Sequence, residues 1–178
     1  VKAEAASNYQ YSFSVDEKTS TLILDGEGYM PSYANGDAPW CDYKDIENLI
    51  IEGDFTILGI SAFEGFTKLK NVKITGDVLI INGSAFKDCS SLENIELGDY
   101  LAGIFGSAFA NCTSLKSIVI PENVTCISSN TFKNCHLEEI TLPFTGGGPQ
   151  NESSHINDQL GYIFSTTEFP GSYAVKCY

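Results

Sequence analysis

Between Ile46 and Leu142 the apolar residues keep two rhythms at once, a short alternation within each stretch and a return of the same pattern every 23 residues. Phe63, Phe86, Phe109 and Phe132 stand 23 residues apart and open the segments SAFEGFTKLKNVKI, SAFKDCSSLENIEL, SAFANCTSLKSIVI and NTFKNCHLEEITL. The last segment is one residue short, lost between Cys135 and Leu137. Further columns keep the period: Phe55, Val78, Leu101 and Val124; Leu58, Ile81, Ile104 and Ile127; Phe66, Cys89, Cys112 and Cys135. The motif L-x-x-I-x-L recurs as Ile46/Leu49/Ile51, Leu69/Val72/Ile74, Leu92/Ile95/Leu97, Leu115/Ile118/Ile120 and Leu137/Ile140/Leu142. Self-similarity of this kind marks a repeat architecture, in which one unit cannot bury its apolar side alone and must stack on its neighbours. Each L-x-x-I-x-L stretch is expected to be a short strand, paired in parallel with the next one about 4.8 Å away. The V-x-x-I stretch predicts a second extended run. The A-F-x-x-C stretch predicts the return leg, as a single turn of 3₁₀ or distorted helix.

The ends of such a stack need covers. Tyr11, Phe13 and Val15 alternate with polar residues, and DEKTS then leads into Thr21-Leu22-Ile23-Leu24. Alternation around a polar turn predicts a β-hairpin cap. Trp40, the only tryptophan, and Tyr29, Met30 and Tyr33 either pack this cap onto the first coil or offer an aromatic platform to a ligand. Towards the other end, Gly146 to Asn157 reads as a glycine-rich polar loop, after which Tyr162, Ile163 and Phe164 return an apolar edge. The expected organisation is a leader and cap over 1–45, repeats over 46–143, and a C-terminal loop and capping segment over 144–178.

At these residues the chain resembles the BspA-like leucine-rich repeats of bacterial surface proteins. The pattern A-F-x-x-C-x-x-L-x-x-I-x-L is that of their 23-residue unit, and Pro121 and Pro143 stand where proline often follows it. DGEGYMPSYANGDAPW looks like the lead-in of that family, and LPFTGGG and LGYIF look like segments that follow its repeats. The resemblance implies a β-rich, right-handed leucine-rich-repeat solenoid with parallel strands. It also implies a non-catalytic, extracellular module for adhesion-type binding to host or matrix components, either protein or glycan. The other reading is a structural spacer within a larger cell-surface protein.

Charge narrows the partners. Ten Lys against 23 Asp plus Glu leave −13, with a pI near 4.3. A surface of that sign repels phosphate backbones and anionic lipid, so nucleic acid is disfavoured, and a cationic or calcium-bridged partner is favoured over an anionic one. No run of about 18 apolar residues exists to cross a bilayer. Val1-Lys2-Ala3-Glu4-Ala5-Ala6 has small residues two apart, as a signal-peptidase site does once the apolar part is removed, so an exported chain is expected. A monomer is expected as well.

Sites of chemistry are scarce. Leu142-Pro143-Phe144-Thr145-Gly146 matches the sortase pattern L-P-x-T-G, but Leu142 also continues the inward column of Ile51, Ile74, Leu97 and Ile120. Cys89, Cys112 and Cys135 occupy a column that Phe66 fills in the first unit, so they read as buried small hydrophobes. Cys41, Cys126 and Cys177 stand outside that column, and spacing cannot pair them. There is no C-x-x-C for zinc or redox work, and neither His136 nor His155 has a nucleophile beside it in a usable direction. No enzyme activity, cofactor or metal is expected.

The strand face remains. Glu47, Lys70, Glu93, Lys116 and Glu138 alternate in sign from coil to coil, and Asn48, Asn71, Asn94, Ser117 and Glu139 form a polar column beside them. Both columns read as stabilisers of the stack. The third outward column, Ile50, Lys73, Glu96, Val119 and Thr141, has no self-satisfying pattern and is the candidate contact surface, with Tyr33 and Trp40 in the cap as the rival location.

Overall fold

The computed structural model describes residues 10–34 and 37–143, the backbone of 2–4 and 174–177, and Phe164. Thirteen strands follow in chain order: β1 (Lys2–Glu4), β2 (Tyr11–Asp16), β3 (Thr21–Tyr29), β4 (Asn48–Ile51), β5 (Asp54–Leu58), β6 (Asn71–Ile74), β7 (Ile80–Ile81), β8 (Asn94–Glu96), β9 (Gly103–Ile104), β10 (Ser117–Val119), β11 (Cys126–Ile127), β12 (Glu139–Leu142) and β13 (Ala174–Cys177).

The hairpin cap is present: β2 pairs antiparallel with β3, from Tyr11↔Gly26 to Asp16↔Thr21, and Tyr11, Phe13 and Val15 point into the core. In its turn, hydrogen bonds from the Thr19 hydroxyl and the Lys18 amide hold the Asp16 carboxyl below the usual carboxylate range. From β3 onwards the pairing is parallel. The first half of β3 pairs with β4, and β4 pairs with β6 and β6 with β8 in steps of 23 residues, as in Asn48↔Asn71↔Asn94. The second half of β3 pairs with β5, which leads through β7 and β9 to β11. Two ribbons of short strands therefore rise from one cap strand. A separate three-stranded sheet, β10-β12-β13, continues the first face.

The core is the set of repeat columns. Phe55, Val78 and Leu101, then Leu58, Ile81 and Ile104, and every phenylalanine of the 63–132 column are buried. Those rings form a stack: Phe63–Phe86 at 5.1 Å, Phe86–Phe109 at 5.4 Å and Phe109–Phe132 at 5.7 Å, with neighbouring planes within 13°. Trp40 stands 23 residues before Phe63 and takes the same slot in the cap, stacked on Phe63 at 5.4 Å with its indole N–H donating to the Ala62 carbonyl. Phe164 closes the column at the other end, tilted 37° against Phe132. Parallel rings this close contribute about 0.5–1.5 kcal/mol per pair beyond their burial.

The return legs differ from the 3₁₀ or helical turn expected. Each is a run of turns whose alternate amides leave the coil: Phe63, Gly65 and Ser61 donate to the carbonyls of Ala85, Lys87 and Gly83, and the next coils repeat this. That alternation needs two left-handed residues per coil. Ser61, Ser84, Ser107 and Asn130 supply one column, with φ of 57–61°, and Gly65, Asp88, Asn111 and Asn134 the other. A helix would turn every amide back along its own coil; the turns instead make a third inter-coil ladder. Their side chains reinforce it, with Asn134 Nδ2 donating to Asn111 Oδ1 at 2.7 Å and Asn111 Nδ2 to Asp88 Oδ1.

One seam in the stack stays open. At four coil boundaries two consecutive amides fork onto one carbonyl: Glu47 and Asn48 onto Ser20, Lys70 and Asn71 onto Glu47, Glu93 and Asn94 onto Lys70, Glu138 and Glu139 onto Lys116. The fork from Lys116 and Ser117 onto Glu93 is missing, and among the described residues no strand pairing joins β8 to β10. The expected five-strand run is thus three strands plus two. Sequence explains it. Pro121 lies where Thr75 donates to Ile51 and Glu52 to Leu24, and proline has no N–H to give. The corners also stop nesting. A Cβ on Gly76 would lie 2.2 Å from the Gly53 carbonyl oxygen, but the same position holds Asp99 and Glu122 in the next two coils.

The expectations for Gly146–Asn157, Tyr162 and Ile163 fall on residues outside the described set, as does Cys177's side chain. Leu142 is buried, continuing its column.

Candidate functional site

The first-strand face presents three side-chain columns. In the first, Lys70 pairs with Glu47 at 3.0 Å and Lys116 with Glu138 at 3.7 Å, while Glu93 makes no ion pair among the described residues. The alternating ladder is therefore interrupted at the seam. In the second, Asn94 donates to Asn71 at 2.9 Å, Asn71 to Asn48 at 2.8 Å, and Asn48 to the Thr19 carbonyl at 2.9 Å. Every carboxamide in this chain hands its donor to the coil before it. These carboxamides, and the first column's charges apart from Glu93, pair within the stack.

The third column is the candidate contact surface. Ile50 is half-buried, Lys73 and Glu96 are exposed and joined by a 2.8 Å ion pair, and Val119 is 56% exposed. Thr141 departs from the expectation: on β12, paired with β10 on one side and β13 on the other, it is 7% exposed. Trp40 is likewise removed as a ligand platform. It is fully buried, held edge-on by Tyr11, Phe13 and Tyr33 and stacked on Phe63, so no partner reaches it without dismantling the cap. Tyr33 is half-buried against that core, with its hydroxyl 2.8 Å from the Tyr11 hydroxyl.

Two open hollows meet at Ile95, Glu96 and Val119: one of about 620 Å³ runs along the strand face from Thr21 across Asn48, Asn71 and Lys73, and one of about 590 Å³ lies at the seam and its corner. Ile95 and Leu97 are half-buried here, whereas their equivalents Val72, Ile74, Ile118 and Ile120 are covered. Glu93 lines the first hollow, and Asp99, Pro121, Glu122 and Asn123 line the second. Inward-column residues thus surface at a place that the repeat pattern alone treats as core. Other exposed apolar side chains lie away from this face: Tyr29 and Leu79 on the second ribbon, Tyr100 at a corner and Ile60 at the start of a return leg.

The ladder thiols are buried, and each points at a backbone carbonyl of the preceding coil: Cys89 at Phe63, Cys112 at Phe86 and Cys135 at Phe109, with the sulfur 3.0–3.3 Å from the oxygen. Burial pushes Cys89 up to about 12, and the Cys135 hydrogen bond together with burial raises Cys112 as well. Such thiols are poor nucleophiles and metal ligands, because both roles need the thiolate. Cys126 is exposed and Cys41 half-buried. Among the described residues one carboxylate is buried, Glu64; it is met by Lys87 at 2.7 Å, and that hydrogen bond raises the lysine. Among the described residues no three His, Cys, Asp or Glu side chains converge as metal ligands, and no helix is long and apolar enough to cross a membrane.

Comparison with known proteins agrees with this architecture. Residues 39–147 match the family described as "BspA type Leucine rich repeat region (6 copies)". No curated relative matches the chain. Among solved structures, a leucine-rich repeat protein from Eubacterium ventriosum superposes with a TM-score of 0.58 at 22% identity, covering 79% of this chain and 43% of its own. The Treponema pallidum (T. pallidum) leucine rich repeat protein gives 0.54 at 22% identity, covering 79% and 72%. One from Bacteroides ovatus gives 0.53 at 22% identity, covering 89% and 42%. The chain spans less than half the length of the Eubacterium and Bacteroides proteins. The 23-residue period, the stacked phenylalanines and the match over 39–147 lead to one assignment: the chain belongs to the BspA-type leucine-rich repeat family.

Proposed function

We propose that this chain is a non-catalytic binding module of an extracellular or cell-surface protein, and that it recognises a protein or glycan through its repeat surface. The observation that supports this most is the state of the third strand column. Its neighbours pair most of their charges and carboxamides within the stack, and Lys73 and Glu96 likewise pair with each other, but Val119 presents to solvent an apolar group that the stack does not use. A surface that only spaced other domains apart would gain nothing from that exposure. The family supports repeat-mediated binding, and the net charge of −13 favours a cationic partner. Adhesion to host or matrix components is the form of binding that the resemblance implies.

The spacer reading has its own support in the self-satisfied asparagine ladder, which stabilises a rod without a ligand. A screen of the intact chain against matrix proteins and glycans, repeated with Lys73→Glu and Val119→Asp, separates the two. Binding that both substitutions weaken is the expected result. If nothing binds this chain or any longer chain that contains it, the spacer reading takes its place.

A further inference from the structure

We infer that the outer face of the second ribbon docks a basic amphipathic helix of a partner protein, with aliphatic side chains on Tyr29, Ile57, Ile80 and Phe105 and lysines or arginines on Glu27, Asp54 and Asp77. This surface is separate from the strand-face column of the binding-module reading. The partner's chemistry follows from two side-chain columns that the stack itself does not use.

The first column is apolar. Phe55 and Leu58 point inward on β5, and Thr56 and Ile57 between them turn outward. Register then sets Tyr29 beside Ile57, Ile57 beside Ile80 and Ile80 beside Gly103. Gly103 brings no side chain, but a Cβ there would lie 3.1 Å from the Phe105 ring, so that ring covers the strand and continues the column. Tyr29 is 70% exposed, and Ile57, Ile80 and Phe105 are half-buried outside the core. Leu79, also exposed, adjoins Ile80. Outward columns of the first ribbon hold asparagine chains and ion pairs instead.

The second column is acidic. Glu27 pairs in register with Asp54, and Asp77 follows on the next coil, its amide donating to the Asp54 carboxylate. Like charges on neighbouring strands repel, and no lysine among the described residues pairs with any of the three. A hollow of about 440 Å³ beside Glu27 and Asp54 adds Asp25 and Glu52 to the same field. A cation relieves that column while apolar contact covers the other. A second copy, itself at −13, brings more carboxylates than cations, and an anionic membrane is repelled in the same way. A helix suits the spacing. It rises about 5.4 Å per turn, and the coils repeat every 5.1–5.7 Å along the ring stack. Each turn can therefore set one aliphatic and one basic side chain against one coil.

The test uses the intact chain and three labelled helical peptides of about 18 residues, read by fluorescence anisotropy. One carries leucine on one side and lysine beside it, one leucine and glutamate, and one serine and lysine. Saturable one-to-one binding of the leucine-lysine peptide alone is expected, weak for so small a face. Tyr29→Ser, Ile80→Thr and Asp77→Lys, each shown by circular dichroism to be folded, should weaken it about tenfold or more. Glu17→Lys and Glu93→Lys, which change the net charge equally but lie elsewhere, should leave it within about twofold. Asp77→Lys should also raise the melting temperature of the free chain, because it breaks a like-charged column; a lower one would remove the argument that the column lacks a cation. Equal weakening by Glu17→Lys or Glu93→Lys would mean diffuse charge attraction and would overturn the proposal. Indifference to Ile80→Thr, or equal binding of the serine-lysine peptide, would do the same. A dimer in sedimentation that Ile80→Thr disperses, or a glycan that the same variant releases, gives the face another occupant and overturns the helix. If no peptide binds but the matrix and glycan screen yields a partner sensitive to Val119→Asp alone, the second-ribbon face falls and the binding-module reading stands.

Discussion

Replacing Phe109 by alanine probes the stack where both neighbours are in place. Its ring is fully buried between Phe86 at 5.4 Å and Phe132 at 5.7 Å, nearly parallel to both. The truncation removes roughly 130 Å² of apolar surface from burial, worth about 3 kcal/mol at about 25 cal/mol per Å². Two ring contacts add roughly 0.5–1.5 kcal/mol each, partly overlapping that figure, so a loss of about 3–5 kcal/mol is expected. The more specific expectation concerns cooperativity. In a stack where each coil touches only its neighbours, weakening one boundary uncouples the two sides. Phe109 lies at the coil whose strand face is already unzipped from β8, so the variant should unfold in urea in two steps, with the cap-side coils persisting. Circular dichroism and the fluorescence of Trp40, which reports the cap, should then separate. Coincident curves with a loss under about 1.5 kcal/mol would refute the argument that the aromatic column carries the coupling.

Four further outcomes follow from the same geometry. Cys89 keeps its proton when folded because burial raises it from 9.0 to about 12, so folding is favoured below pH 9 and that contribution fades as pH climbs from about 9 to 12; Cys89→Val should flatten this alkaline loss in pH-resolved melts. At pH 8 a thiol reagent should label Cys126 first and reach Cys89, Cys112 and Cys135 only after urea, as peptide mass mapping would show. At Asn111, where φ is 64°, valine should be worse than glycine by about 1–3 kcal/mol in urea titrations, because both lose the carboxamide bonds but only valine is strained there. Glu93→Lys, outside any ion pair, should move the melting temperature less than Glu47→Lys, which sets a cation against Lys70; the latter effect, up to about 1 kcal/mol, should shrink in high salt.

The columns were readable because burial repeats faithfully: Phe63 to Phe132, Cys89 to Cys135 and the hairpin alternation of Tyr11, Phe13 and Val15 all point where the period says. Trp40 was readable too, but only by stepping 23 residues back from Phe63, since its type differs from the column it joins. The return legs are less legible, because A-F-x-x-C is compatible with a helical turn. The signal lay in the residues around it, serine before Ala-Phe and Gly, Asp or Asn two places after Phe, types that accept left-handed backbone more readily than most. The seam and the covering of Thr141 depend on neighbours in space. Glu96 and Val119 look equivalent to Lys73 in the period, and only the missing fork at Glu93 and the presence of β13 distinguish their surroundings.

Strand β3 has a consequence for how the molecule acquires its pitch. Its nine residues pair with β4 through Thr21–Leu24 and with β5 through Glu27–Tyr29, with the ladder shifting between Gly28 and Tyr29. Both ribbons therefore inherit their phase from one piece of chain, much as two threads of a screw start from one cut. An extra residue between Leu24 and Glu27 would leave each ribbon internally sound yet rotate one against the other, and every coil above would have to share the mismatch across its corner. The cap is thus a die for the stack as well as its cover, and later coils can be added or removed in whole units only because the first one is set so firmly.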